Sequence, residues 1–147
     1  MRAHYEEAIG ALVESLFQRT SHAVLWLGTD GQPTESGKAA LHALELAGEQ
    51  GLDPRDYRAV DLGTELRHLA GEGPPVPDRI ADLDARISIA VLSYLHDLKL
   101  GRVDPMGAAI VGREQAEPAD VVALAEALAH AAHPDEVLES ARPKHAE

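Results

Sequence analysis

The chain has 147 residues, a length that suits one domain with a buried core of its own. Its 25 acidic residues outnumber 13 basic ones, and the formal charge of −12 argues against binding to nucleic acid or an anionic membrane surface. Cysteine is absent, which excludes disulfides, thiolate metal sites and a cysteine nucleophile within these residues. Apolar residues make up 45% of the chain but aromatic ones only 3%, a composition typical of packed helices.

No run of apolar residues approaches the roughly 18 that a membrane-spanning helix needs. The first residues also lack the apolar core of a signal peptide. We therefore expect either a cytoplasmic chain or one whose export signal has been removed.

The spacing of apolar residues predicts amphipathic helices over about residues 4–19 and 34–47. Between them lie a short apolar run, which contains Leu25 and the only tryptophan, Trp26, and a turn over residues 29–33. Asp53 and Pro54 are typical of a helix N-cap and its first position, so we expect a short helical turn that ends near Tyr57.

A helix that is weaker because Gly63 interrupts it is predicted over residues 62–70, and a Gly/Pro loop over 71–77. The strongest helix follows at about 79–100, some 33 Å long at 1.5 Å per residue. Its buried stripe comprises Ile80, Leu83, Ile87, Val91, Tyr94, Leu95 and Leu98. Gly101 suits the left-handed position after the helix, and two further helices begin at Pro118 and near Pro134. The sequence predicts an all-α fold, a single helical bundle around one long central helix, as one domain over residues 1–147.

Asp84 lies beside Leu83 on the buried stripe, so its carboxylate needs a partner, for which we nominate Arg102. We favour a structural ion pair over catalysis there. Asp82 and Asp84 are two residues apart and point to different faces, so they do not form an acid/base pair. Trp26 is interpreted as a core or interface anchor, with stacking on a sugar as the alternative.

His130 and His133 are three residues apart, a spacing that can place two metal ligands on one helix face. No third ligand accompanies them, and a histidine near a helix C-terminus is favoured by the helix dipole. Ser88 and Ser93 lie within a helix, without the strained elbow of a serine nucleophile. We predict no catalytic constellation, no metal site and no cofactor.

Several short motifs, in this order and spacing, resemble the helical scaffold domain of large periplasmic L,D-transpeptidases, enzymes that cross-link peptidoglycan in many Gram-negative bacteria. The motifs are Leu25-Trp26, Asp30-Gly31-Gln32-Pro33-Thr34, Gly51-Leu52-Asp53-Pro54-Arg55-Asp56-Tyr57, Leu83-Asp84 and Gly101-Arg102-Val103-Asp104-Pro105. The resemblance covers about residues 5–145. Val24 departs from it, where the family usually has proline, and so does Ile89, where an acidic residue is common.

The resemblance implies a non-catalytic scaffold that supports or docks a separate catalytic domain, in cis or in trans, which in the family carries the cysteine nucleophile and a histidine. It also implies a periplasmic location, and either a domain excised from such an enzyme or a free-standing relative. The residues assigned to structure or docking are Leu25, Trp26, Asp53, Pro54, Tyr57, Asp84, Gly101, Arg102, Asp104 and Pro105.

Two alternatives remain open at this point. One is a free-standing periplasmic module that binds peptidoglycan or a protein partner through a groove near Trp26. The other is a small hydrolase that uses a pair of Asp or Glu residues, such as a glycosidase, which needs two carboxylates about 5–10 Å apart in a cleft. No pair of acidic residues in the sequence has an obvious spacing for that role.

Overall fold

One long helix runs through the middle of the molecule and contacts all five other helices. The computed structural model describes residues 2–21, 23–71, 73, 76–100 and 118–141. Within them the α-helices are α1 (Arg2–Arg19), α2 (Glu35–Glu45), α3 (Ala59–Gly71), α4 (Pro77–Leu100), α5 (Pro118–Ala129) and α6 (Pro134–Ala141). Two 3₁₀ helices, Ala47–Gln50 and Pro54–Tyr57, lie between α2 and α3. The described residues contain no strand, so the predicted all-α bundle around a long helix is confirmed.

The central helix α4 buries most of its residues from Ile80 onward against the other helices. Every residue of its predicted stripe is at most 5% exposed. Leu92 lies off that stripe and is nevertheless fully buried, because neighbours pack on more than one face of α4. The helix begins two residues earlier than expected, with Pro77 in the first helical position, where proline loses no backbone hydrogen bond.

The ends of the neighbouring helices follow from local chemistry. The hydroxyl of Thr34 accepts a hydrogen bond from the backbone N–H of Gly37 and caps α2. Helix α3 begins three residues earlier than expected, immediately after Arg58, whose left-handed backbone (φ 56°) turns the chain out of the second 3₁₀ helix. This turn places the two helices end to end without a loop.

No helix among the described residues is both long enough and apolar enough to span a bilayer. The apolar side chains instead form a core between the helices, in which Trp26, Leu16, Leu44, Ile87 and Leu95 are at most 2% exposed.

Replacing Tyr94 with alanine is expected to lower the free energy of unfolding by about 3 kcal/mol. Tyr94 is 3% exposed and its ring meets that of Tyr57 edge to face, with centroids 5.7 Å apart, so truncation leaves a cavity and removes an aromatic pair. Urea unfolding measures this loss. Ile89→Ala on the same helix is the control, because Ile89 is 45% exposed. A loss below about 1 kcal/mol for Tyr94→Ala contradicts its place in the core.

Candidate functional site

The buried carboxylate of Asp84 binds the backbone of the segment between α1 and α2. It accepts hydrogen bonds from three consecutive N–H groups, those of Leu25 at 3.0 Å, Trp26 at 2.7 Å and Leu27 at 3.1 Å. Asp84 is 4% exposed. The segment forms no helix, so its N–H groups have no helical partners, and a carboxylate with several acceptor positions can satisfy all three. We call residues 25–27 the clamped segment.

The side chain of Trp26 gives the clamped segment a second attachment to α4. Its indole N–H donates to the hydroxyl of Ser88 at 2.9 Å, and Trp26 is fully buried. Ser88 lies four residues after Asp84, which places both side chains on one face of α4. Backbone and side chain of the segment therefore bind adjacent turns of the same helix.

Helix α2 holds the opposite side of the clamped segment. The backbone carbonyl of Trp26 accepts a hydrogen bond from the N–H of Thr34 at 2.9 Å. The start of α2 packs so closely that a Cβ atom at Gly37 would overlap this carbonyl oxygen. Glycine is therefore required at position 37 by close approach of two backbones.

Two opposing effects act on the pKa of Asp84. Burial of the charged form raises the pKa above its usual value, and the hydrogen bonds from the three backbone N–H groups act in the opposite direction without cancelling it. The carboxylate is thus a desolvated charge held by backbone dipoles.

A second polar contact on α4 anchors the second 3₁₀ helix. The hydroxyl of Tyr57 donates to the carboxylate of Asp97 at 2.5 Å, and both side chains are at most 2% exposed. The other oxygen of Asp97 lies 3.2 Å from Nδ1 of His96. Asp53 caps this 3₁₀ helix by accepting from the N–H of Arg55, and Pro54 follows the cap, as predicted. Asp53 and Pro54 therefore set the position from which Tyr57 reaches α4.

The predicted site residues thus form two separate clusters. Leu25, Trp26 and Asp84 meet at one point on α4, and Tyr57, preceded by Asp53 and Pro54, meets it 13 residues later, about 20 Å along the helix. Gly101, Arg102, Asp104 and Pro105 lie outside the described residues, as does the nominated ion pair between Asp84 and Arg102. The partners that the structure describes for Asp84 are backbone N–H groups.

The sequence reasoning missed three residues of these clusters: Ser88, Asp97 and Gly37. The signal for two of them was available, since Ser88 follows Ile87 and Asp97 precedes Leu98 on a helix whose apolar stripe was evident. A polar residue beside a buried stripe needs a hydrogen-bonding partner. Gly37 gave no signal, because its role depends on the position of the Trp26 carbonyl.

Comparison with known proteins identifies the family. A family model described as "Scaffold domain" matches residues 11–147. The chain belongs to this scaffold domain family. No curated protein and no solved structure matches it.

In this scaffold domain buried polar side chains form hydrogen bonds that connect the helices and the segments between them. Among the described residues, no buried side-chain nitrogen or oxygen lacks a hydrogen-bond partner. The same residues contain no group of three His, Asp or Glu side chains placed to hold a metal ion. His130, one of the two histidines considered as ligands, has its Nδ1 3.1 Å from the backbone carbonyl of Glu126. The arrangement can fix helices in place.

Replacing Asp84 with alanine is expected to lower the free energy of unfolding by about 3 kcal/mol or more, because three N–H groups in the core lose their acceptor. Asp82→Ala is the matched control: it removes an exposed carboxylate whose described ion pair is with Arg86, and should cost less than about 1 kcal/mol. Equal losses for the two variants in urea unfolding would contradict the role of Asp84.

The cost of Asp84→Ala should also depend on pH. Because the pKa of Asp84 is raised in the folded state, the folded protein binds this proton more tightly than the unfolded chain. The wild type therefore gains stability relative to the variant as the pH falls through the raised pKa, and the gain is complete below about pH 4, the unfolded value. Unfolding at pH 7 and pH 4 measures it. A cost that shrinks on acidification would mean that the hydrogen bonds outweigh burial.

Proposed function

We propose that this scaffold domain is the non-catalytic helical support of a peptidoglycan L,D-transpeptidase in the periplasm, where it holds or docks the catalytic domain during cell-wall cross-linking. The family assignment supports the role of a scaffold. The enzyme class is supported by the resemblance of the ordered motifs, from Leu25-Trp26 to Leu83-Asp84, to the scaffold domain of L,D-transpeptidases. The chain contains no cysteine, so the nucleophile of such an enzyme has to come from another domain.

One structural observation carries the non-catalytic part of the proposal. The buried side chains of the described motifs bind groups inside the domain: Asp84 holds backbone N–H groups, Trp26 binds Ser88, and Tyr57 binds Asp97. A catalytic acid or base needs access to substrate, whereas Asp84 and Asp97 are 4% and 1% exposed. Rigid internal connections of this kind suit a domain that holds another domain in position.

The alternative of a peptidoglycan-binding module loses its main support. That reading relied on a groove near Trp26 in which the indole ring would stack on a sugar. Trp26 is fully buried, with its indole N–H bound to Ser88, so its ring faces cannot meet a ligand in this structure. Muropeptides at millimolar concentration should leave the fluorescence of Trp26 unchanged.

Binding to a catalytic domain tests the proposal. The folded chain should bind a cysteine-containing L,D-transpeptidase catalytic domain from the same polypeptide or the same genome, and calorimetry should give a saturable isotherm. A cysteine hydrolase domain of an unrelated fold serves as the control partner and should give no heat. The absence of binding to every cognate catalytic domain, with the helical circular dichroism spectrum intact, would sink the proposal.

A further inference from the structure

The exposed faces of α2 and α3 enclose a groove of about 400 Å³, which we call the α2–α3 groove. Its apolar lining includes Leu41 and Leu66, both only partly buried. Two cationic side chains, Lys38 and Arg67, also line it together with His42, against one acidic residue, Glu45. This balance is the reverse of the whole chain, which carries a net charge of −12. A basic, apolar groove on an acidic protein suggests a ligand of opposite charge.

Arg67 has no described acidic partner, unlike other arginines of the molecule. Arg19, Arg55, Arg58 and Arg86 each pair with a carboxylate. In the described part of the chain Arg67 donates only to the hydroxyl of Thr64, at 3.2 Å. A guanidinium has five donors arranged to match a carboxylate. Thr64 therefore orients the group while most of its donors remain available.

Lys38 is similarly available to a ligand. Its described ion pair is with Glu35, at 3.6 Å, and both side chains are more than half exposed. Pairs of this type contribute little and exchange readily with water. Lys38 and Arg67 thus bring two cations to one groove, one from each helix.

Gly63 supports the same interpretation, because the packing of the core does not explain it. Glycine within a helix costs up to about 1 kcal/mol relative to alanine. A Cβ atom at Gly63 would meet one atom, Nη1 of Arg67, at 3.7 Å, which is ordinary contact. The missing side chain instead leaves the groove lining open beside the guanidinium of Arg67.

We propose that the α2–α3 groove docks an acidic, amphipathic peptide segment of a partner protein. An apolar side chain of the segment packs on Leu41 and Leu66, and its carboxylates pair with Arg67 and Lys38. The overall charge of −12 repels long polyanions such as nucleic acid, whereas a segment with a few carboxylates beside apolar residues matches the groove. The inference concerns this groove alone and does not depend on the partner's activity.

A peptide-display selection against the folded chain tests this inference. The enriched sequences should combine Asp or Glu with one or two large apolar residues. A synthetic copy of the most enriched peptide should shift the NMR signals of Leu41, Gly63 and Leu66. Its version with Asn and Gln in place of Asp and Glu should bind at least tenfold more weakly.

Two groove variants and one control localise the binding. Arg67→Gln should lower the affinity for the peptide at least tenfold. Gly63→Ala should raise the melting temperature, because alanine favours helix, and should still weaken peptide binding. If Gly63 had only a structural role, the substitution would change the melting temperature without changing the affinity for the peptide. Arg79→Gln removes an exposed arginine of α4 that does not line the groove, and should leave affinity unchanged.

Several results would overturn the inference. These are a selection that enriches no peptide, enriched peptides without acidic residues, affinity unaffected by Arg67→Gln, and signal shifts outside the α2–α3 groove. If the chain self-associates and Arg67→Gln abolishes this self-association, the occupant of the groove is a second copy of the chain, and the proposed partner segment is ruled out.

Discussion

The three hydrogen bonds between Asp84 and the clamped segment are the constraint on which the arrangement of the other elements depends. A buried carboxylate costs several kcal/mol in desolvation unless it is well satisfied, and a non-helical segment inside a core costs energy for each unpaired N–H group. The two features partly offset each other's cost here, since Asp84 accepts hydrogen bonds from the N–H groups of residues 25, 26 and 27. This exchange lets the chain cross the core between α1 and α2 without regular structure.

Further contacts connect the clamped segment and α4 to the remaining elements. The indole of Trp26 binds Ser88 on α4, and its backbone carbonyl binds the N–H of Thr34 at the start of α2. Trp26 therefore positions α2 relative to α4. Farther along α4, Asp97 fixes Tyr57 and with it the short helix that leads into α3. Buried polar networks that are fully satisfied give a unique, rigid packing. Rigidity of this kind suits the proposed role of a domain that supports another one.

The sequence predicted the parts of this structure that depend on local pattern. The stripe from Ile80 to Leu98 indicated α4, and Asp53-Pro54 indicated a helix start. The burial of Asp84 also followed from its neighbour Leu83. Its described partners did not, because backbone N–H groups leave no mark in a sequence. The ion pair nominated between Asp84 and Arg102 stays a prediction, because Arg102 lies outside the described residues.

Features that depend on how helices meet were beyond sequence reasoning. Gly63 looked like a weak point of a helix, and only the packing of α2 beside α3 shows that it borders a groove with Arg67. Trp26 was interpreted as a core or interface anchor, with stacking on a sugar as the alternative, because an indole suits both. The position of Ser88 one turn from Asp84 decided between them.

Native-state hydrogen exchange of the 25–27 amides tests the central claim most directly. If Asp84 holds this segment, the amide hydrogens of Leu25, Trp26 and Leu27 exchange only through global unfolding, although they belong to no helix. Under the same conditions, the amide of Asp30, in the turn that follows the clamped segment, provides the unprotected reference, because Asp30 is exposed and no hydrogen bond is described for its N–H. Rates for residues 25–27 that match this turn would contradict the account, because the clamped segment would then open independently of the core.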